Sequence, residues 1–292
     1  MSKEESPVRE AWRHHERKWR DNRYVYAVVS RRSGGVSVGI NLNPDKGCNF
    51  DCIYCQVDRT VPPLVRRVDL EVLKSEIDLV LEAEKDGTLY AMPPCSALPP
   101  DRRGVRDIAF SGDGEPTTYP RFEEAIRIAA EARRRFRLDS TKLVLITDAA
   151  YLQKPSVRAA LAIMDKNNGE IWAKLDAGTE EYYRMVDRPN VPFQTVLDNI
   201  LVAARVRPVV IQSLFLHVRG VPPPEEEIAA YCGRLNELLA AGAAIKAVQI
   251  YTIARKPAEL HASPLSDAEL DSLASRVRAQ VRVPVETYYG MQ

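Results

Sequence analysis

Long apolar runs are missing from this 292-residue sequence, so nothing in it is long and apolar enough to span a bilayer. The first twenty residues are charged and carry no apolar core of the kind a signal peptide needs. An excess of one charge is missing too. With 41 Lys and Arg against 40 Asp and Glu, the net charge is +1, and there is no global pull toward nucleic acid or an anionic membrane. Internal repeats and linker-like stretches are absent, and no G-x-G-x-x-G turn opens a strand–helix unit. Only five cysteines occur, three of them clustered, which suits a reducing compartment and metal binding better than a disulfide framework. A cytoplasmic location is the expectation. Hydrophobic residues at 45% and charged ones at 28% are ordinary for a globular chain of a size that buries a sizeable core.

What the sequence does have is Cys48-Asn49-Phe50-Asp51-Cys52-Ile53-Tyr54-Cys55, three thiols in eight residues spaced C-x3-C-x2-C. Thiolates bind soft metals and iron–sulfur clusters. A zinc site usually wants a fourth Cys or His at short spacing, and none follows Cys55; the next candidates are Cys95 and His217. A disulfide pair would leave an odd thiol. Three thiolates on a [4Fe–4S] cube leave one iron without a protein ligand, and such a site reads as a reaction centre.

Around this loop the pattern alternates strand and helix. Runs 24–30 and 36–43, separated by Arg31-Arg32-Ser33-Gly34-Gly35, read as a hairpin whose second strand leads into the cysteine loop. Helices are expected over 70–84, 121–136, 157–164, 193–206, 225–241 and 267–281, and strands over 105–110, 142–146, 170–175, 209–216, 247–253 and 283–288. That alternation argues for a parallel sheet with helical crossovers, about six βα units. An α/β, partial (open) TIM-type barrel fits the length better than a complete eight-fold barrel of about 250 residues. Residues 24–292 are read as one domain, with 1–23 an N-terminal basic helical arm carrying Trp12, Trp19 and the pair His14-His15. The arm is either a solvated helix with its Trp side chains packed on the body, which is preferred, or a grip for RNA. Residues 91–104 hold four prolines and read as a loop without regular structure, a lid or a mobile excursion.

A second loop, Gly112-Asp113-Gly114-Glu115-Pro116-Thr117, follows the strand over 105–110 directly. Glycines let backbone groups approach a ligand, and a Glu accepts from an ammonium. Taken with the cysteine loop, it resembles the motif pair of the radical SAM superfamily, with Asp113 at the middle of the glycine–glycine–glutamate motif. The stretches 38–56, 112–117 and 172–178 resemble uncharacterised proteins grouped with the wyosine-base (tRNA imidazoguanosine) synthases. Those tRNA enzymes carry further cysteines before the triplet, and this sequence has none before Cys48.

The resemblance implies that Cys48, Cys52 and Cys55 hold a [4Fe–4S] cluster and that S-adenosylmethionine (SAM) binds its open iron. The loop 112–115 would hold the SAM amino group. One electron, from a donor such as a flavodoxin or ferredoxin, then yields methionine and a 5′-deoxyadenosyl radical that takes hydrogen from a substrate. Tyr54 is expected near the adenine, and Thr147 at the ribose. Lys174 and Asp176 alternate along one strand, so they share a face and are catalytic candidates. Gln212, His217, Tyr251 and Arg255 lie on or after later strands and are substrate-side candidates. Cys95 and Cys232 read as incidental and core. Besides a radical SAM enzyme on an unidentified substrate, a tRNA-base-modifying version and a non-catalytic iron–sulfur or zinc module are the competing readings.

Overall fold

A computed structural model describes residues 7–13 and 18–291, so His14 and His15 lie outside the described residues. The chain divides into two units. One holds the stretch up to Gly47, Pro63–Leu145 and Ser156–Glu170; the other holds Cys48–Pro62, Ile146–Pro155 and the stretch from Ile171.

In the first unit a short helix, α1 (Pro7–Arg13), precedes the hairpin β1 (Val25–Ser30) and β2 (Gly35–Ile40). The hairpin is antiparallel, with Val25 opposite Ile40 and Ser30 opposite Gly35. Gly34 makes the turn at φ +73°, a conformation that costs glycine nothing. Next come α2 (Leu70–Lys85), β3 (Val105–Phe110) and α3 (Phe122–Arg135). Then follow β4 (Lys142–Thr147), which contributes residues through Leu145, and α4 (Pro155–Asp165), which contributes from Ser156. β2 pairs with β3 and β3 with β4, both in parallel. Leu70, Leu73, Ile77, Val80 and Leu81 are the buried stripe of α2. Among them sits Glu76, 7% exposed, whose carboxylate accepts from the backbone N–H groups of Arg23, Tyr24 and Val25 at 2.7, 2.8 and 3.0 Å. A buried charge is tolerable only when satisfied in this way.

One expectation changes in this unit. The segment around 91–104 is not structureless. Three 3₁₀ turns, Thr88–Ala91, Cys95–Ala97 and Pro100–Arg102, pack Leu89, Cys95 and Leu98 into the core. Proline excludes long helices but fixes φ at a value short turns use, and these turns need few N–H donors. Trp19 of the arm is 3% exposed, with Arg20 stacked at 4.6 Å from its ring centre, and α1 packs on β1 and on the Cys95–Ala97 turn.

In the second unit β5 (Gly169–Lys174), contributing from Ile171, is followed by α5 (Glu180–Val186) and α6 (Phe193–Val206). β6 (Val209–Leu214), β7 (Leu216–Val218), α7 (Glu225–Ala240), β8 (Ile245–Tyr251), β9 (Ala262–Pro264), α8 (Asp267–Gln280) and β10 (Val285–Tyr288) complete it. Strands pair in parallel in the order β5-β6-β8-β10. The single strand expected over 209–216 is two: it breaks at Phe215, and β7 turns away to pair antiparallel with β9. Each unit thus shows the α/β class with parallel strands expected from the alternation. No helix among the described residues is long and apolar enough to cross a membrane.

Candidate functional site

The cysteine loop belongs to the second unit, where two segments clasp its backbone. The N–H of Ile53 donates to Val186 O at 2.9 Å, that of Asp51 to Asp187 O at 3.2 Å, and that of Asn190 to Asn49 O at 3.2 Å. Phe50 bridges to Pro189 and sets its ring edge-on to Tyr183 at 5.7 Å. On the other side Ala258 N–H donates to Cys55 O at 3.1 Å, and Arg255 Nε to Gln56 Oε1 at 2.8 Å. Arg59 donates to Cys55 Sγ at 3.4 Å. Both side-chain amide atoms of Asn49 are buried without a hydrogen-bond partner among the described residues. Such orphans beside three thiols are what a bound polar group would satisfy. No three His, Cys, Asp or Glu side chains among the described residues converge enough to hold a metal. The donor chemistry fits an iron–sulfur cluster all the same: three thiols on one fixed loop.

Beneath the loop lies a buried polar cluster. Lys174, at the end of β5, and Asp176, two residues on, form an ion pair at 3.2 Å. Their side chains are 20% and 1% exposed. The Tyr54 hydroxyl meets both the Lys174 ammonium and the Asp176 carboxylate, and lies 3.1 Å from Asp187 Oδ1. The ammonium also stands 4.3 Å from the Tyr54 ring centre. Asp176 is fixed further by Leu214 N–H at 2.7 Å. Leu175 between them is buried on its own and spends its N–H on Gln212 O, as strand alternation requires.

Two carboxylates here face one ammonium. Burial, then the neighbouring Asp176 charge, pushes Asp187 well above the usual carboxylate range. One phenolic O–H serves one acceptor at a time, so a proton held by Asp187 lets it donate to Tyr54 while Tyr54 donates to Asp176. Burial is the largest single influence and opposes the charge on Lys174, but Asp176, Tyr251, Cys52 and Asp187 together outweigh it and hold that ammonium well above its ordinary value. Burial also pushes the Cys52 thiol up, with Lys174 pulling the other way. The charges of Lys174, Asp187 and Asp176 thus act on the Cys52 thiol.

Asp187 was not legible in the sequence. It is the C-cap of α5, a seven-residue helix that the periodicity did not suggest. Thr179, whose side chain caps Tyr182 N–H, with Glu180 and Glu181 in the first turn, was the available signal.

The loop 112–117 belongs to the first unit. There is no room for a Cβ at Gly112, where Asn41 sits, or at Gly114, where the Gly47 carbonyl sits. The glycines serve a close approach of chain to chain. Asn41 Nδ2 donates to Asp113 Oδ2 at 2.7 Å, and Asp113 N–H to Asn41 Oδ1 at 3.1 Å. Glu115 is 3% exposed, and its Oε1 accepts from Thr117 N–H and Oγ1 at 3.1 and 2.5 Å. Thr147 and Asp148 are both buried, and each caps a turn: Thr147 Oγ1 accepts from Ala149 N–H, Asp148 Oδ1 from Ala150 N–H.

The substrate-side candidates separate. Tyr251 ends β8 and adds to the field at Lys174 and Tyr54. Arg255 holds Gln56 after the cysteines. Gln212 starts a ladder across β6, β8 and β10, donating to Gln249 at 2.9 Å, which donates to Glu286 at 3.0 Å. Its Oε1 is buried and unpartnered among the described residues. His217 instead joins a helix cap. Its Nε2 lies 2.9 Å from Glu269 Oε1, while Glu269 Oε2 accepts from Ser266 N–H and Oγ.

Those bonds from Ser266, with His217 added, hold Glu269 down at about 2, against 4.5 ordinarily. A depressed carboxyl contributes stability that is present above its unfolded value and lost as pH falls through its folded one. Between pH 4.5 and about 2 the wild type should therefore lose stability that Glu269→Gln, already without the charge, does not lose. Chemical denaturation across that window checks it; parallel pH profiles would remove the cap from the acid response.

The profile of the radical SAM superfamily matches residues 42–232. The chain belongs to the radical SAM superfamily. This radical SAM chain is 24% identical over 275 residues to a protein of Brachyspira hyodysenteriae named GTPase Obg, covering 92% of this chain and 35% of that protein. A UPF0026 protein of Helicobacter pylori is 26% identical over 251 residues, covering 84% and 71%. The chain thus spans about a third of the first relative's length. The phosphate loop G-x-x-x-x-G-K-S/T of GTPases is not in this sequence. Streptococcus suis SuiB bound to S-adenosylmethionine superposes with TM-score 0.59 at 13% identity, covering 88% of this chain and 52% of that one. TYW1 with a lysine-pyruvate adduct bound does so with TM-score 0.53 at 14%, covering 94% and 81%. The shared fold is the α/β partial barrel. Membership in the superfamily implies SAM and a [4Fe–4S] cluster as cofactors.

Proposed function

We propose that the chain uses Cys48, Cys52 and Cys55 to hold a [4Fe–4S] cluster and cleaves SAM reductively for hydrogen abstraction from a substrate. Bound SAM, given one electron from a flavodoxin- or ferredoxin-like donor, supplies methionine and a 5′-deoxyadenosyl radical. The observation that carries this reading is the fixed cysteine loop with its orphaned Asn49 amide, set over the buried cluster of Tyr54, Lys174, Asp176 and Asp187. In it Lys174 and Asp176 fix the field under Cys52, and Tyr54 ties the cysteine loop to them. The loop 112–115 takes the SAM amino group chiefly through backbone atoms, because the Asp113 and Glu115 side chains already have partners. A cytoplasmic site of action fits five cysteines that form no disulfide among the described residues.

A tRNA base is the second reading of the substrate, supported by the resemblance to the wyosine-base synthases. The inward packing of Trp19 weighs against it. The test is anaerobic reconstitution with iron and sulfide, then SAM and a reductant. 5′-Deoxyadenosine should form; a reconstituted, SAM-binding protein that makes none would overturn the reading. Retention of bulk tRNA on a filter at low salt, where electrostatic contacts are strongest, decides the second.

A further inference from the structure

A cavity of about 340 Å³ lies wholly within the first unit, between the segments 42–45, 66–68 and 118–121. That is the lower end of small-ligand pocket sizes, roughly 300–1,000 Å³. Three arginines line it: Arg66, Arg67 and Arg121. Asp45 is the one acid among the lining residues, and its Oδ1 is occupied by Gly47 N–H at 3.1 Å.

The walls are built before any ligand arrives. The Tyr24 hydroxyl donates to Arg67 O at 3.0 Å and accepts from Asp69 N–H at 3.2 Å, which pins the arginine pair by its backbone. The Tyr119 hydroxyl reaches across to Val68 O at 3.4 Å and joins two walls. Asn43 Nδ2 donates to Thr118 Oγ1 at 2.9 Å and joins the third. Arg121 is oriented by Glu124, which takes its Nε and Nη2 at 2.8 and 2.5 Å. A guanidinium carries five N–H groups, so three remain. Among the described residues Arg66 and Arg67 have no acidic partner. The wall residues Val68 and Arg121 lie one or two positions before the first turns of α2 and α3, helices of 16 and 14 residues. The N-terminus of α3 has no side-chain cap, whereas Asp69 already accepts from the first N–H groups of α2.

Three arginines and a single acid line one cavity, so its lining favours an anion. From this we infer that the cavity is a binding site for a phosphate monoester, its phosphate between the arginines and its remainder against Tyr119. Two parallel N–H donors match two phosphate oxygens, which is why arginine suits this ligand better than a point charge does. The inference goes beyond SAM cleavage and does not rest on it.

The test is calorimetry on the reconstituted full chain, with inorganic phosphate and adenosine 5′-monophosphate as probes. Both should bind, the nucleotide more tightly, with affinity falling as salt rises. Arg66→Gln with Arg67→Gln should weaken both at least tenfold at unchanged melting temperature. A separate variant, Arg121→Gln, keeps the test open if the pair proves unstable, and should weaken them as well. Equal affinity in the wild type and these variants, or no binding of either probe at millimolar concentration, overturns the proposal. Neither result bears on 5′-deoxyadenosine formation, which is measured without phosphate.

Discussion

Replacing any one of Cys48, Cys52 or Cys55 by alanine is expected to remove the cluster entirely. About four irons per chain should fall to none, because a cubane held by two thiolates has lost a third of its protein ligands. Cys95→Ala and Cys232→Ala should leave the iron in place. Both thiols are buried, and burial alone pushes Cys95 up to about 12, so nothing makes it a thiolate ligand at neutral pH. Each should cost only stability, about 1 kcal/mol, for a small buried group lost. Iron and sulfide analysis after anaerobic reconstitution reads all five variants. Stoichiometric zinc without cluster absorbance, or iron lost with Cys95→Ala, would sink the assignment of the three ligands.

The second large effect is at Lys174. Lys174→Met keeps most of the side-chain volume and removes the ammonium that faces Asp176 and Asp187, which are 2% and 3% exposed. Breaking a buried pair from one side costs about 3–5 kcal/mol, since an uncompensated carboxylate remains. SAM cleavage should fall at least about tenfold, or roughly 1.4 kcal/mol of transition-state stabilisation, with cluster content retained. The double variant Lys174→Met, Asp176→Asn removes both charges and should recover most of the stability without the turnover. That split separates a merely structural pair from one that also serves the reaction. Wild-type turnover and melting temperature in the single variant would mean that the pair does neither.

Sequence reading reached this pair from strand alternation alone: Lys174 and Asp176 share a face because they are two residues apart. It had no means of seeing that Tyr54, some 120 residues earlier, stands between them, since only the fold brings the cysteine loop to β5. The hairpin, the long helices and the parallel strands were legible because their apolar periods are long and their turns carry glycine. α5 was not, because seven residues show barely two turns of any period. The proline-rich segment failed for another reason. Proline density reports what cannot form, and it is silent about short turns that bury Leu89 and Leu98. The loop 112–117 was found by its glycines, yet their missing side chains make room for Asn41 and Gly47. Residue type signals that something comes close, and leaves open what.

The clasp on the cysteine loop carries one more consequence. Ordering a flexible residue costs about 1–2 kcal/mol of backbone entropy, so a slack eight-residue loop would charge that sum against iron affinity. Here the folded chain has met part of it already, through the bonds that tie Asn49, Asp51 and Ile53 to the segment 186–190 and Cys55 to Ala258. Those bonds run from protein to protein, so the fold itself, and not the iron alone, meets part of the cost of ordering the loop.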